Sequence, residues 1–252
     1  MGYPKTATKF LQFEIFPKLN LKYYFVGGTP KNEYKKMRRL LDDIRNPNAN
    51  IIYPHYKQQL SQLIPKQTDT LISYESLSGE IYDPNILDMK VTSLRLNGLL
   101  DDTKIIVCTR EKSSMLKSLY SQYIKEGGIL EREDFNKYFF NMQRLDYDTY
   151  LDFLYELFGK ENVLHVDFEL LKKDDHKFVS SICSFMNQPI PSFTNKKLNP
   201  GYSQKQIEIQ RFLNNAFKTK LNPNGLPPQR LWEIINPAKK LVNNRISKKI
   251  IR

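Results

Sequence analysis

The chain has 252 residues, enough for one layered α/β domain with a substantial core. Apolar residues make up 40% and charged residues 26%, proportions that exclude a disordered or collagen-like chain. The formal net charge of +12 predicts an anionic ligand, whether a phosphate, a nucleic acid, an acidic sugar or a membrane surface.

The sequence offers neither a disulfide scaffold nor a metal site. Cys108 and Cys183 both lie in apolar stretches, which predicts buried thiols in a reducing compartment. The three histidines and two cysteines lack zinc-ligand spacing. No apolar run reaches the roughly 18 residues of a membrane span, and the first ten residues lack a signal-peptide core. We therefore expect a cytoplasmic protein.

The first half of the chain predicts two helices followed by two strands. Apolar residues at helical spacing predict helices over residues 6–16, which end at Pro17, and 32–44. Residues 71–74 and 105–109 are short, β-rich and almost continuously apolar. That pattern is typical of strands covered on both faces, as in a parallel sheet.

The second half alternates helices with a third strand. An apolar stripe predicts a helix over residues 112–125, with Gly127 and Gly128 as its stop. Residues 133–158 predict one long helix or two joined near Asp146. A strand over residues 163–168 precedes helices predicted over 170–186, 205–217 and 229–243. This alternation predicts an α/β domain with a central parallel sheet flanked by helices.

A proline- and asparagine-rich loop divides the predicted domain from the end of the chain. We expect residues 1–221 to form the domain and residues 222–252 to form a basic helical tail, packed on it or loosely attached. The charge of the tail fits a membrane surface or a polyanion, although an ordinary solvated terminus is the better interpretation.

The segment PKTATKF at residues 4–10 opens the first predicted helix. The N–H groups of a first helical turn, with threonine hydroxyls and a lysine ammonium, make an anion site. The spacing of a Walker A loop is absent, and a capping threonine among surface lysines is the structural alternative. The strand that should lead into this loop is almost missing. It is either very short or supplied by residues absent from this chain.

A second candidate pair follows the strand over residues 105–109. Arg110 ends that strand, and Ser118 lies eight residues later in the next helix. Both side chains can converge on one phosphate at the carboxyl edge of a parallel sheet, where ligands of such sheets bind. Taken alone, the spacing equally fits a surface arginine with a neutral serine.

Together these motifs resemble the sulfotransferase superfamily that uses 3′-phosphoadenosine 5′-phosphosulfate (PAPS). YPKTATKF resembles its 5′-phosphosulfate loop, CTREKSSMLKSLYSQYIKEGG its 3′-phosphate segment, and VLHVDFELLKKDDHKFVSSICSFMNQP a later strand and helix. KKLNPGYSQKQIEIQRFLNN is similar to a C-terminal loop and helix of carbohydrate sulfotransferases. The resemblance covers residues 3–215 in the family's order and is closest to the carbohydrate, heparan-type and bacterial members.

The resemblance implies a fold like that of P-loop nucleotide-binding proteins, PAPS as co-substrate and no metal. Because the family's Golgi members carry an anchor before the catalytic domain, it also implies a Golgi membrane protein as the alternative location if an anchor precedes residue 1. It assigns Arg110 and Ser118 to the 3′-phosphate. Around the 5′-phosphosulfate it places Lys5, Thr6, Ala7, Thr8, Lys9 and Phe10. Ala7 stands where the family usually has glycine, so the backbone has less room beside the ligand. Lys9 replaces a usual threonine.

The resemblance also implies a catalytic base. Carbohydrate members of the family commonly use a glutamate at the end of the strand that precedes the arginine strand, and Glu75 matches that place. A surface turn is the alternative role for Glu75, and His55 is the alternative base. Lys196 and Lys197 fit either a contact with the 3′-phosphate or a solvated pair.

The sequence thus predicts an enzyme that transfers a sulfuryl group from PAPS to a hydroxyl, on a carbohydrate acceptor, with Lys5 and Glu75 as catalytic residues. A small-molecule kinase is one alternative, since the same loop geometry binds ATP. A non-enzymatic polyanion-binding protein is another, because of the charge. We expect no nucleic acid partner and no membrane span.

Overall fold

The computed structural model describes residues 3, 5–25, 32–79, 87–194 and 202–226. The chain divides into two compact units. The first comprises Met1–Leu116 and Asn136–Asn199, and the second Lys117–Phe135 and Pro200–Arg252. The predicted helix over 229–243 and all of the predicted tail beyond residue 226 lie outside the described residues, and the boundary at residue 221 stays a prediction.

The described strands belong to the first unit and pair in parallel. They are β1 (Lys22–Phe25), β2 (Thr70–Ser73), β3 (Ile105–Thr109) and β4 (Val163–Asp167). β1 pairs with β2, with Lys22 opposite Thr70, and β3 pairs with β4, with Thr109 opposite Asp167. The predicted α/β class with parallel strands is confirmed, although the described strands form two separate two-stranded sheets instead of one larger central sheet. β1, which has the sequence KYYF, was not predicted from the sequence.

Helices connect and follow these strands. They are α1 (Thr8–Phe10), α2 (Asn32–Arg45), α3 (Tyr53–Leu63), α4 (Leu87–Leu99), α5 (Lys112–Lys125), α6 (Arg132–Asp134), α7 (Tyr147–Phe158), α8 (Phe168–Lys173), α9 (Asp175–Phe185) and α10 (Gln204–Ala216). After α1 the chain continues through a wider π-type turn at Leu11–Ile15 and a 3₁₀ turn at Phe16–Lys18. No described helix is long and apolar enough to cross a bilayer.

Aspartate caps divide two of the predicted helices. The Asp146 carboxylate accepts a hydrogen bond from the backbone N–H of Thr149 at 3.4 Å, so α7 begins there. The Asp174 carboxylate accepts from the N–H of Lys177 at 2.8 Å, which separates α8 from α9. An aspartate at this position satisfies first-turn donors, and it favours a new helix start over continuation.

One apolar cluster in the first unit packs the N-terminal helical segment against β3 and β4. Its buried members are Phe10, Leu11, Ile15, Phe16, Leu19, Cys108, Val166, Leu171, Phe178, Val179, Ile182 and Cys183. Phe10 and Ile15 follow the turn of residues 5–7, the lysine-bearing turn, and Cys108 belongs to β3. This packing therefore fixes the lysine-bearing turn beside the carboxyl end of β3.

A buried asparagine organises the second unit. The Asn214 side-chain amide, in α10, donates to the carbonyls of Ile124 and Gly128 at 2.7 and 2.8 Å. α5 ends at Lys125, before the predicted stop at Gly127, whose φ of 103° is the conformation that favours glycine. The amide thereby satisfies carbonyls at the helix end that no further helical turn can pair.

Candidate active site

The lysine-bearing turn is attached to β3 by its first residues. The N–H of Tyr3 donates to the carbonyl of Cys108 at 3.3 Å, and the Thr6 hydroxyl donates to the carbonyl of Tyr3. Thr6 is 1% exposed, so its side chain faces the protein interior. In the described part of the chain, the strand expected before this turn is reduced to the single contact of Tyr3.

The turn adopts a conformation that costs energy for the residues it contains. Lys5 has a φ of 65° and Ala7 a φ of 63°, and each left-handed residue other than glycine costs roughly 1–2 kcal/mol. Ala7 therefore takes the backbone shape that the family's usual glycine adopts freely. It also precedes α1 without a side-chain cap, and the first N–H groups of a helix have no intrahelical acceptor. These donors suit an anion.

Arg110 lies directly after β3 and reaches this turn. Its Nη1 donates to the carbonyl of Lys5 at 3.1 Å, and its Nε donates to the Ser114 hydroxyl at 2.9 Å. The guanidinium carbon lies 4.8 Å from the centre of the Phe168 ring. Burial lowers the pKa of Arg110, while Glu169 opposes that shift; an arginine remains charged at neutral pH. The structure thus brings two separate sequence motifs together.

The Glu75 segment is linked to the same turn through a buried glutamine. Glu75 begins a 3₁₀ turn just after β2 and is partly buried. Two residues earlier, the Ser73 hydroxyl accepts a hydrogen bond from Gln12 Nε2 at 2.9 Å. Gln12 is 3% exposed and lies in the helical segment that follows the turn. This bond positions the carboxyl end of β2, and the role of Glu75 as base stays a prediction.

Comparison with known proteins identifies the family. The sequence matches the sulfotransferase domain over residues 1–219. The chain belongs to the sulfotransferase family. The crystal structure of a sulfotransferase from Alicyclobacillus acidocaldarius is similar to it in fold, with a TM-score of 0.50 and 15% sequence identity over 79% of this chain and 85% of that one. A comparison with curated protein sequences gives no match. The predicted family and fold are confirmed, and the protein is a transferase of sulfuryl groups.

The remaining predicted residues of this sulfotransferase occupy different environments. In α1, Thr8 is partly buried, Lys9 is exposed, and Phe10 is buried with its ring 5.8 Å from that of Phe193. Ser118 lies one turn beyond Ser114 on α5 and belongs to the second unit. The binding roles of these residues stay predictions. Lys196 and Lys197 lie outside the described residues.

The histidines fit structural roles in the sulfotransferase. His55, the alternative base, is exposed on α3 and pairs with Gln59 of the next turn. His165 Nε2 lies 2.7 Å from the Thr109 hydroxyl, across the β3–β4 pair. Throughout the described ranges, no group of three or more His, Cys, Asp or Glu side chains is placed to hold a metal ion.

Sequence reasoning missed Ser114 and Gln12. Ser114 follows Arg110 by four residues and lies in the first turn of α5, so a search for hydroxyls that can reach the arginine would include it. Gln12 gives no comparable signal, because its partner Ser73 lies 61 residues away in sequence.

Proposed function

We propose that this sulfotransferase uses PAPS as its donor and a hydroxyl of a carbohydrate as its acceptor. The hydrogen bond from Arg110 to the carbonyl of Lys5 is the observation that supports PAPS as the sulfuryl donor. It places a guanidinium beside a lysine-bearing turn with an uncapped helix start. A guanidinium in contact with the backbone of a lysine-bearing turn suits a nucleotide that carries one anion at its 5′ end and another on its ribose.

The turn binds the 5′-phosphosulfate in this proposal. The N–H groups of the first helical turn and the ammonium of Lys5 stabilise negative charge on the bridging oxygen as its bond to sulfur breaks. The contributing residues are Lys5, Thr6, Ala7, Thr8, Lys9 and Phe10. Because the Thr6 side chain faces inward, Thr6 contributes its backbone, and the buried Phe10 anchors the helix.

Arg110 and Ser118 bind the 3′-phosphate. Among the described residues, two of the five guanidinium N–H bonds of Arg110 are paired, one with Ser114 and one with the carbonyl of Lys5. A guanidinium presents its donors in a planar fork, which leaves the remaining N–H bonds for phosphate oxygens. This contact contributes donor affinity more than rate.

Glu75 removes the proton of the acceptor. The acceptor oxygen attacks sulfur, its proton passes to the Glu75 carboxylate, and adenosine 3′,5′-bisphosphate leaves with the electron pair of the broken S–O bond. The reaction is a direct in-line transfer without a covalent enzyme intermediate, so positioning supplies much of the rate. The net charge of +12 favours an acidic carbohydrate among hydroxyl acceptors.

Nucleotide binding measured by calorimetry tests the donor. We expect adenosine 3′,5′-bisphosphate to bind more tightly than 5′-AMP and than ATP with Mg²⁺. Arg110→Ala should remove that preference for the 3′-phosphate, whereas Arg38→Ala, which changes an exposed arginine on α2, should retain it. Stronger binding of ATP with Mg²⁺ would favour the kinase alternative. Salt-sensitive binding of nucleic acid without nucleotide preference would favour the polyanion-binding alternative.

Sulfuryl transfer from labelled PAPS to a panel of hydroxyl compounds tests the acceptor. The panel contains neutral oligosaccharides, acidic oligosaccharides and simple phenols. Transfer to the acidic oligosaccharides above the other two groups supports the proposal. Transfer to phenols alone would reject a carbohydrate acceptor while leaving the donor assignment intact.

A further inference from the structure

The left-handed turn of residues 5–7 is held in place from outside itself. Lys5 and Ala7 both have positive φ, a conformation that persists only where surrounding contacts enforce it. Tyr3 attaches the start of the segment to β3, and Thr6 bonds back to Tyr3. Arg110 supplies a third contact, since it donates directly to the carbonyl of Lys5, the first left-handed residue.

Arg110 is itself held by Ser114. The Ser114 hydroxyl accepts from Nε, the guanidinium nitrogen nearest the main chain, and so fixes the direction of the planar fork. Ser114 is in turn fixed at the start of α5, where its N–H donates to the Glu111 carboxylate at 2.7 Å. The Phe168 ring also contacts the guanidinium but supplies no directional hydrogen bond.

We propose that Ser114 is a positioning residue for sulfuryl transfer, which it serves by directing Arg110 onto the Lys5 carbonyl. This inference rests on the proposed function and extends it, because it makes the two anion-binding elements of the donor site interdependent. A loosened Arg110 no longer restrains Lys5, so the 5′ end of the nucleotide loses affinity together with the 3′ end.

Three variants separate this role from general destabilisation. Ser114→Ala removes the acceptor of the Arg110 Nε, and Ser114→Thr restores a hydroxyl at the same place. Ser113→Ala is the matched control, because the Ser113 hydroxyl lies in the same helical turn but donates to Glu111 instead of contacting Arg110. Each variant is made in the full chain.

Hydrogen–deuterium exchange without nucleotide tests the restraint itself. We expect the backbone amides of residues 6–10 to exchange faster in Ser114→Ala than in the wild type, and at the wild-type rate in Ser114→Thr and Ser113→Ala. Unchanged exchange in Ser114→Ala would overturn the inference whether or not the protein binds a nucleotide.

Calorimetry with 5′-AMP and adenosine 3′,5′-bisphosphate tests the consequence. Ser114→Ala should weaken both nucleotides about tenfold, the size of one hydrogen bond to a charged group. If only the bisphosphate lost affinity, the two anion-binding elements would not be interdependent, and Ser114 would affect the binding of the 3′-phosphate alone. If the wild type binds neither nucleotide, the proposed function is wrong and Ser114 has no role in transfer, even if amide exchange responds.

Steady-state kinetics distinguish a positioning role of Ser114 from a purely structural one. Because Lys5 acts on the departing oxygen, Ser114→Ala should lower kcat as well as raise the KM for PAPS, and Ser114→Thr should restore both. A raised KM with an unchanged kcat would overturn the role in positioning Lys5.

Discussion

Arg110 Nη1 donates a 3.1 Å hydrogen bond to the carbonyl of Lys5, a residue 105 positions earlier in the sequence. Lys5 has a φ of 65°, and we propose that its ammonium stabilises the oxygen that leaves the sulfuryl group. The residue that follows β3 therefore restrains the backbone of the residue proposed to act in the chemistry. Predictions for this site must distinguish the side chain of Lys5 from its carbonyl.

Replacing the side chain of Lys5 tests its role in the transition state. Lys5→Ala should lower kcat by about 10²–10³, because it removes a cation that faces developing charge. Its carbonyl remains available to Arg110, so the preference for the bisphosphate over 5′-AMP should be retained. Single-turnover transfer from PAPS measures the effect, and Lys66→Ala, at an exposed position far along the chain, serves as control. An unchanged kcat would remove Lys5 from the chemistry.

Glu75→Gln keeps the shape of the side chain but removes its basicity. We expect a loss of roughly 10²- to 10⁴-fold in kcat with donor affinity retained, as for other general bases. Calorimetry with the bisphosphate verifies donor binding, and Glu156→Gln, on the exposed side of α7, should behave as wild type. Near wild-type turnover of Glu75→Gln would assign the proton transfer to another group.

The buried Gln12 should contribute stability. Gln12→Ala leaves the Ser73 hydroxyl without this donor inside the protein, and we expect the free energy of unfolding to fall by about 1–3 kcal/mol. Urea denaturation measures the change, with the exposed Gln67→Ala as control. Equal stabilities of the two variants would show that the link between β2 and the N-terminal segment is energetically unimportant.

Neither cysteine should react in the folded protein. Burial raises the pKa of the Cys108 thiol to about 12, against an opposing interaction with the Thr6 side chain, and burial also raises the pKa of Cys183. The reactive thiolate is therefore scarce and enclosed at mildly alkaline pH. Titration with a disulfide reagent should detect no thiol before unfolding and both after it. Rapid modification of the native protein would contradict this prediction.

His165 should make the stability depend on pH. His165 keeps part of its surface exposed, but partial burial lowers its pKa, and Asp167 and Asp148 act in the opposite direction. The unfolded chain then binds a proton at higher pH than the folded one, so the contribution of His165 to stability is complete above the unfolded pKa and falls as the pH is lowered through the folded pKa. Urea denaturation at about pH 7.5 and about pH 5 should show a smaller decrease in His165→Gln than in the wild type. An identical decrease in both proteins would exclude His165 as a cause.

Local patterns predicted those parts of the fold whose signals lie within a few residues. The apolar stripe and the following glycines defined α5, and the short apolar runs defined β2, β3 and β4 closely. The sequence did not predict α4, because its apolar residues are spread around the helix and form no single apolar face. The motifs of Lys5 and Arg110 were visible, but their contact was not, since it depends on how β3 and the N-terminal segment pack.

The surroundings of Asn214 also limit how this polypeptide can be shortened for crystallisation. The side-chain amide of Asn222, three residues past the end of the family match, donates to the backbone carbonyl of Asn214 at 2.8 Å. A fragment that ends at residue 219 keeps Asn214 but lacks Asn222 and the backbone pairing of Leu226 with Phe217. Expression fragments designed on the sulfotransferase family alone would thus cut into a folded region, and they should extend at least to residue 226.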